Sequence, residues 1–240
     1  MCNTIMYGKK FKDINLIKKK PIKFKRSGFE LFGIFNEDYY SFIIILSKKK
    51  QKLKMPLKKF YFLTEKEIKE KSKLIFYGKD YLSTDFNQKY YVFFERKIDL
   101  KKIKVLKNNN KIKKLKIKNV IKNKKKKYWG YVKNIFNQNN SCAKEIYMMK
   151  NTQSSMEFHI KKEESYFIYE GELDIGLRYA RAKQKITKLK KNNVFKMLPG
   201  TMHMRMAKKN TTILEMSNND DDTDSIIVHD GKKYNFKTTK

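Results

Sequence analysis

Residues Glu157–Glu164 read EFHIKKEE, and residues Leu198–His203 read LPGTMH. The chain has three histidines, and each of these two segments contains one of them. Glu157 and His159 are two residues apart, so both side chains would point to the same face of a β-strand. Histidine and carboxylate side chains are the usual protein ligands of a divalent metal that keeps positions open for a substrate. The two segments therefore predict a metal site, formed where the fold brings their strands together.

Apolar and polar residues alternate over short spans on both sides of these segments. Spans of this length, repeated about every ten residues, favour an antiparallel sandwich or barrel. Glu170-Gly171-Glu172 is a predicted tight turn between two of them. The nine strands predicted in this part of the chain are Lys144–Lys150, Ser155–Ile160, Ser165–Glu170, Leu173–Tyr179, Lys185–Leu189, Val194–Leu198, Met202–Met206, Thr211–Met216 and Ser225–Val228.

The first half of the chain predicts β-structure with one short helix. Two apolar runs, Phe29–Phe35 and Tyr40–Leu46, flank the turn-forming cluster Asn36–Asp38, which is typical of a β-hairpin. Thr64 with Glu67 three residues later is a capping-box pattern and predicts a helix start. This half has no histidine and only scattered carboxylates, so it offers no catalytic set. Further strands are predicted at Lys73–Tyr77, Tyr90–Glu95 and Ile103–Leu106.

The charge is strongly positive, with 58 Lys and Arg against 24 Asp and Glu, a net charge of +34. Residues 1–127 carry +27 of it and residues 128–240 carry +7. A nucleic-acid or anionic-membrane partner is one interpretation. However, only five of the 58 basic residues are Arg, although Arg is the better residue for bidentate phosphate contact. Lys, Asn and Ile rise together as in an AT-rich genome, so we favour compositional bias and keep nucleic acid as the alternative.

Composition also predicts the boundaries of the domains. Residues 107–127 are rich in Lys and Asn and indicate a polar, self-repelling linker. After Lys127 the composition changes, since Met, Glu, Gly and His appear. We therefore predict an N-terminal domain over 1–106, a linker over 107–127, a second domain over 128–230 and a basic tail over 231–240. A basic tether that touches RNA or membrane is the alternative to a solvated linker.

The chain predicts a cytoplasmic protein that does not enter a membrane. Cys2 and Cys142 lie far apart and have no metal-ligand spacing, so neither a disulfide framework nor a zinc knuckle is predicted. Lysines recur from Lys9 onward and leave no apolar core for a signal peptide. The longest apolar run, Phe42–Leu46, is far too short to span a bilayer.

The motifs resemble those of the cupin superfamily, which is a small double-sheet jelly roll. The first cupin motif, G-x5-HxH-x3–4-E-x6-G, is followed from Glu157 through His159 and Glu164 to Gly171. The second, G-x5-PxGxxH-x3-N, is matched over Asn192–His203 at Gly200 and His203, with Pro199 in the same turn. The flanks resemble the cupins that are similar to phosphomannose isomerases and other sugar-phosphate isomerases. These flanks are Trp129-Gly130-Tyr131, Glu215-Met216-Ser217 and the acidic turn Asp220–Asp224, and the resemblance covers about residues 128–230.

This resemblance implies a mainly-β protein. It would have a C-terminal double-stranded β-helix (the cupin jelly roll) preceded by a small α+β or mostly-β N-terminal domain. The chain departs from the motifs where Glu157 replaces the first His and where Asn151 and Asn192 replace Gly. Asn tolerates a positive φ better than most residues. A second carboxylate makes the ligand set harder, which tilts it from Zn or Cu toward Mn or Fe(II). Ala143 stands where the family has a further Gly.

The resemblance also implies the site and the reaction. Glu157, His159, Glu164 and His203 would bind Mn, Fe or Zn, and Glu157 would be either a ligand or an unligated base. Glu157 and Glu164 are the catalytic candidates for an aldose–ketose isomerisation of a mannose-6-phosphate type of substrate through an enediol. A homodimer is expected. The candidates for binding a substrate phosphate are Lys161, Arg178 and Arg205, although in a chain this basic each is better explained as a solvated surface residue.

Other assignments stay open beside this one. Glu163 could replace Glu164, but it is better explained as a solvent-facing turn residue, and His229 as an exposed C-terminal residue. The competing functions are a non-catalytic cupin kept for ligand binding or oligomerisation, and a basic adaptor that binds nucleic acid. A dioxygenase could use the same ligands with Fe(II), but the isomerase-like flanks favour the isomerase.

Overall fold

The computed structural model describes residues 22–26, 28–72, 74–106, 124–138, 140–179, 184–218 and 220–233. Strands make up 63% and helices 6% of the structure, so the mainly-β prediction is confirmed. The chain divides into two compact units. The N-terminal unit extends to residue 124 and includes residues 133–143, and the C-terminal unit contains residues 125–132 and the chain from 144 onward. No helix among the described residues is long and apolar enough to cross a membrane.

The N-terminal unit is built on one antiparallel sheet with the strand order β1-β2-β3-β6-β4-β5, in which β7 pairs with β4. The predicted hairpin is confirmed as the β2–β3 pair. The predicted helix is confirmed as α1, where the Glu67 carboxylate accepts a hydrogen bond of 2.8 Å from the Thr64 backbone N–H. The elements are β1 Ile22–Arg26, β2 Phe29–Asn36, β3 Ser41–Ser47, β4 Gln51–Thr64, α1 Glu65–Lys69, β5 Phe76–Thr84, β6 Gln88–Phe94 and β7 Lys104–Val105.

Three strands of this unit differ from the sequence prediction, and the first is β1, for which no strand was predicted. Strand β4 was not predicted, because its outward positions are lysines and Pro56 interrupts its pattern. It is accommodated by an irregularity in the pairing with β5 between Lys54 and Lys59. Strand β5 begins at Phe76, three residues later than predicted, and Lys73 lies outside the described residues.

The interior of the N-terminal unit is filled by apolar side chains. Phe60 is fully buried there, and a Cβ added at Gly78 would lie 2.1 Å from its ring, so the ring packs directly on the glycine backbone. The buried side chains of this cluster are Phe29, Leu31, Ile43, Ile45, Leu53, Met55, Phe60, Phe62, Leu82, Tyr90, Val92, Phe94, Ile98 and Ile103.

Two antiparallel sheets form the jelly roll of the second half. One has the order β15-β12-β17-β10-β9-β8 and the other β14-β13-β16-β11-β18. All nine strands predicted after Lys127 are present, because strict alternation and frequent turns are strong signals for strands. The strands are β8 Lys124–Lys127, β9 Gly130–Gln138, β10 Ser141–Met148, β11 Met156–His159, β12 Glu164–Glu170, β13 Glu172–Arg178, β14 Lys185–Lys190, β15 Val194–Met197, β16 Met202–Ala207, β17 Thr211–Ser217 and β18 Ser225–His229.

Asn151 and Asn192 have positive φ angles in the jelly roll, which confirms the expectation that asparagine tolerates this conformation there. Asn151 has φ +62° and Asn192 has φ +67°, so both take the left-handed conformation, which Asn tolerates better than most residues. Gly171, with φ +96°, forms the predicted turn between β12 and β13. Asn therefore forms these two turns at positions where the cupin motifs, which this half of the sequence resembles, have Gly.

The predicted linker and tail are only partly described. Residues 107–123 and 234–240 lie outside the described residues. The last four residues of the predicted linker, Lys124–Lys127, form β8. The division into domains over 1–106 and 128–230 remains a proposal.

Candidate metal centre

Strands β11, β12 and β16 bring the four predicted ligands together. Glu157 of β11 pairs directly with His203 of β16. His203 Nε2 lies 3.8 Å from Glu157 Oε1 and 3.4 Å from Glu164 Oε2, and His159 Nε2 lies 3.5 Å from Glu164 Oε1. One ligand atom from each of Glu157, His159 and His203 falls within 4.8 Å of the other two. This is the spacing of side chains that share one cation.

The backbone fixes which nitrogen each histidine presents to the centre. His159 Nδ1 lies 3.0 Å from the Asp224 carbonyl oxygen, and His203 Nδ1 lies 3.0 Å from the Thr201 carbonyl oxygen. A carbonyl only accepts, so each Nδ1 carries the hydrogen and each Nε2 of a neutral ring has a free lone pair. Both Nε2 atoms are buried and have no hydrogen-bond partner among the described residues.

These lone pairs face carboxylate oxygens, an arrangement that requires a proton or a cation between them. Burial lowers the pKa of His203, and Glu164 and Glu157 only partly oppose this, so that ring tends to stay neutral. Burial also lowers the pKa of His159, but the Glu164 carboxylate outweighs it and the net pKa is raised. A divalent metal satisfies both nitrogens at once, so the residues fit such an ion.

Both carboxylates are held in their ionised form. Burial would raise the pKa of Glu164, but Lys162 and the two histidines bring it well below its ordinary value. Lys162 Nζ is 2.5 Å from Glu164 Oε1, and the Tyr166 hydroxyl donates to Oε2 at 2.7 Å. Burial likewise would raise the pKa of Glu157, but Arg205, which donates to Oε1 at 2.8 Å, lowers it overall. Two anionic oxygen donors are therefore available to a cation at neutral pH.

Three residues of the centre were not found by sequence reasoning. Lys162 and Glu215 are 6% and 2% exposed, and Lys162 Nζ lies 3.0 Å from Glu215 Oε1. The Tyr166 hydroxyl donates to Glu164, the carboxylate that also contacts Lys162. Glu215 faces the centre because β17 pairs it with Tyr166 of β12. A single carboxylate inside the otherwise apolar run Ile213–Met216 was the signal that could have located it.

Asp224 holds the segment that connects β11 to β12. It is buried, and its carboxylate accepts hydrogen bonds from the backbone N–H groups of Ile160 at 3.0 Å, Lys161 at 3.1 Å and Lys162 at 2.9 Å. The same residue supplies the carbonyl that orients His159. Asp224 therefore positions one ligand directly and the segment leading to another.

The other candidates occupy different environments. Arg205 is buried beside Glu157, which corrects the expectation of a surface residue; its guanidinium lies 5.7 Å from the centre of the Trp129 ring. Lys161 is exposed, and Arg178 is half-buried at the end of β13. His229 is half-buried in β18 rather than exposed. Glu163 does not face solvent freely either, since it lies 2.7 Å from Lys196 Nζ.

Comparison with solved structures finds this fold in oxalate decarboxylases. The Lactobacillus farciminis enzyme, in a formate complex, has a TM-score of 0.56 and 10% identity, with 88% of this chain and 87% of that chain covered. The Bacillus subtilis enzyme has a TM-score of 0.59 and 7% identity, with 88% and 78% covered. A second Bacillus subtilis structure, from work on the Mn(II) centres of that enzyme, has a TM-score of 0.59 and 8% identity over the same shares.

These likenesses show the cupin fold. They cover more than residues 128–230, so the similarity of fold extends into the first half of the chain, where the sequence motifs do not. No model of a known protein family and no curated protein sequence matches the chain.

Proposed function

We propose that this chain is a metal-dependent cupin enzyme, with Glu157, His159, Glu164 and His203 as the ligands of one divalent ion. The observation that carries the proposal is the pair of buried Nε2 atoms, both without a hydrogen-bond partner among the described residues and both facing carboxylate oxygens. The two carboxylates favour Mn(II) or Fe(II) over Zn(II). The Mn(II) centres of the Bacillus subtilis oxalate decarboxylase, which shares the fold, support the same choice.

The reaction we propose is the aldose–ketose isomerisation of a sugar phosphate of the mannose-6-phosphate type. When bound, the ion would polarise a substrate carbonyl and stabilise negative charge on its oxygen. Glu157 has an alternative role as an unligated base, and in that role it is the carboxylate that can exchange a proton with the substrate, because its side chain is 17% exposed and that of Glu164 is 3% exposed. Arg205 and the Ser225 hydroxyl hold Glu157 at 2.8 Å and 2.9 Å. Glu164, enclosed by its own donors, is the fixed ligand.

The specific support for an isomerase is the sequence resemblance of the flanks, and the substrate phosphate would bind to the exposed Lys161 and to Arg178. The fold of the oxalate decarboxylases favours a second candidate, a small carboxylate substrate at the same ion. A cupin that binds a ligand without catalysis is the third. The buried site and its ion pairs give no support to the nucleic-acid adaptor.

A homodimer through an edge strand is part of the proposal. Strand β18 ends the five-stranded sheet, so one side of it has no strand neighbour among the described residues. Ile227 on this strand is 64% exposed and Ile226 is 36% exposed. Pairing with a second copy would cover these side chains and the open backbone groups.

The test is the metal content of the purified chain beside its Glu157→Ala and His203→Ala variants, with Glu163→Ala as the matched control. Near-stoichiometric Mn, Fe or Zn in the parent and the control, lost from both site variants, is the expected result. Loss in His203→Ala alone would leave Glu157 as a base and not a ligand. Interconversion of mannose 6-phosphate and fructose 6-phosphate would then be assayed against release of formate from oxalate. A parent chain that takes up no metal even after loading would refute the enzyme.

A further inference from the structure

Lys162 is a fully enclosed cation beside the proposed metal ligands. Its Nζ lies 2.5 Å from Glu164 Oε1, 3.0 Å from Glu215 Oε1 and 3.8 Å from Asp220 Oδ1, and the residue is 6% exposed. A buried ammonium is tolerated only where anionic partners replace its water. Lys162 is therefore part of the interior and not one more lysine of a basic surface.

The charges around the centre nearly balance without a metal. Arg205 joins Glu157 to Glu215, at 2.8 Å and 3.9 Å, and Lys144 joins Glu215 to Asp220. Four carboxylates thus meet three fixed cations, and the sum is one negative charge. The seven residues are Glu157, Glu164, Glu215, Asp220, Lys144, Lys162 and Arg205.

The oxygen that Lys162 contacts is the one that a metal at His159 would also use. Glu164 Oε1 is 2.5 Å from Lys162 Nζ and 3.5 Å from His159 Nε2. A dication bound to that nitrogen and that oxygen would lie close to the ammonium in a site from which water is largely excluded. Two cations at such a separation repel each other strongly when the surroundings screen poorly.

We propose that Lys162 is an internal counter-cation, which stabilises the metal-free centre and weakens its binding of a divalent ion by competing for the charge of Glu164. The inference rests on the metal site proposed above. Lys162 thus acts in the opposite sense to a ligand, because removal of its ammonium group strengthens metal binding. Removing Lys162 should therefore change the stability of the metal-free protein and its affinity for metal in opposite directions.

The experiment compares Lys162→Met with Lys161→Met, the same substitution one residue earlier on an exposed side chain. Each full-length protein is stripped with a chelator and titrated with Mn²⁺ by calorimetry, and its thermal midpoint is measured without metal. We expect Lys162→Met to bind Mn²⁺ at least tenfold more tightly, about 1.4 kcal/mol, and to unfold at a lower temperature when empty. Lys161→Met should match the parent in both.

Equal or weaker Mn²⁺ binding by Lys162→Met, with a parent that binds, would overturn the inference, because Lys162 would then only orient Glu164. Binding by Lys162→Met alone would support the inference while the proposed function fails for the parent chain. Binding by neither would overturn both. If Lys162→Met does not fold, Lys162→Gln removes the same charge and keeps a hydrogen-bond donor, and the same tighter binding is expected.

Discussion

Replacing Asp224 by Ala should destabilise the protein and loosen the metal centre together. The carboxylate accepts hydrogen bonds from three backbone N–H groups, of which that of Lys162 is buried and those of Ile160 and Lys161 are partly buried. Loss of a charged acceptor costs about 1.5–3 kcal/mol at the buried amide and roughly 0.5–1 kcal/mol at each amide that water can reach. The sum is about 2.5–5 kcal/mol.

For a chain of this length that loss corresponds to a fall of about 5–20 °C in the thermal midpoint. Metal affinity should fall by roughly 10- to 100-fold, because Asp224 also carries the carbonyl that orients His159. Both quantities are measured on the same preparations, by calorimetric unfolding and by Mn²⁺ titration. Asp224→Asn should recover part of each loss, since one acceptor oxygen remains.

Asp222→Ala is the matched control, because Asp222 is an exposed carboxylate in the same short 3₁₀ turn. It should stay within about 0.5 kcal/mol of the parent, as surface substitutions usually do. An Asp224→Ala protein as stable as the Asp222→Ala protein would refute the reasoning. So would an unchanged Mn²⁺ affinity, since the segment would then hold its shape without the carboxylate.

Three further predictions concern the frame of the jelly roll. Gly171→Ala should destabilise it by about 2–4 kcal/mol in urea unfolding, because a Cβ there would lie 2.4 Å from the Asn210 carbonyl oxygen. Asn192→Gly should instead be neutral or stabilising by up to about 1 kcal/mol, since φ is +67° at that residue; a clear loss would show that the Asn side chain is needed. Burial and Glu145, which accepts from the phenol at 2.8 Å, raise the pKa of Tyr131. Its contribution to stability is present below the ordinary tyrosine pKa of about 10 and is lost as pH rises beyond it, so Tyr131→Phe should show a shallower alkaline loss of stability than the parent in unfolding measured from pH 9 to 11.

Nine of the strands of the second half, β10 to β18, could be predicted because each signal is local. Alternation with a period of two, a turn residue about every ten positions and a glycine at Gly171 are all readable without knowing the pairing. The four residues proposed as ligands could be predicted from the resemblance, since their spacing places Glu157 beside His159 on one strand. Strand β4 was not predicted, because exposed lysines and Pro56 interrupt the pattern of its buried residues.

The ionic residues of the centre could not be predicted in the same way. Lys162 and Arg205 are two basic residues among 58, and nothing in their neighbours marks them as buried. Their burial follows from register, which places Arg205 of β16 within reach of Glu157 of β11 and sets Glu215 beside Tyr166. Register is a property of pairing over the whole sheet, so local composition carries little information about it.

The near-neutral network also bears on whether the proposed metal would bind during folding or after it. Small zinc domains choose early, because without the ion they do not fold and its binding energy is their folding energy. Here lysine and arginine side chains already neutralise the carboxylates before any ion arrives. The chain can therefore fold before the proposed metal binds, and the bound metal would be exchangeable. The identity of the bound ion would then depend on which ions are available to the folded protein. One ion could replace another without unfolding it.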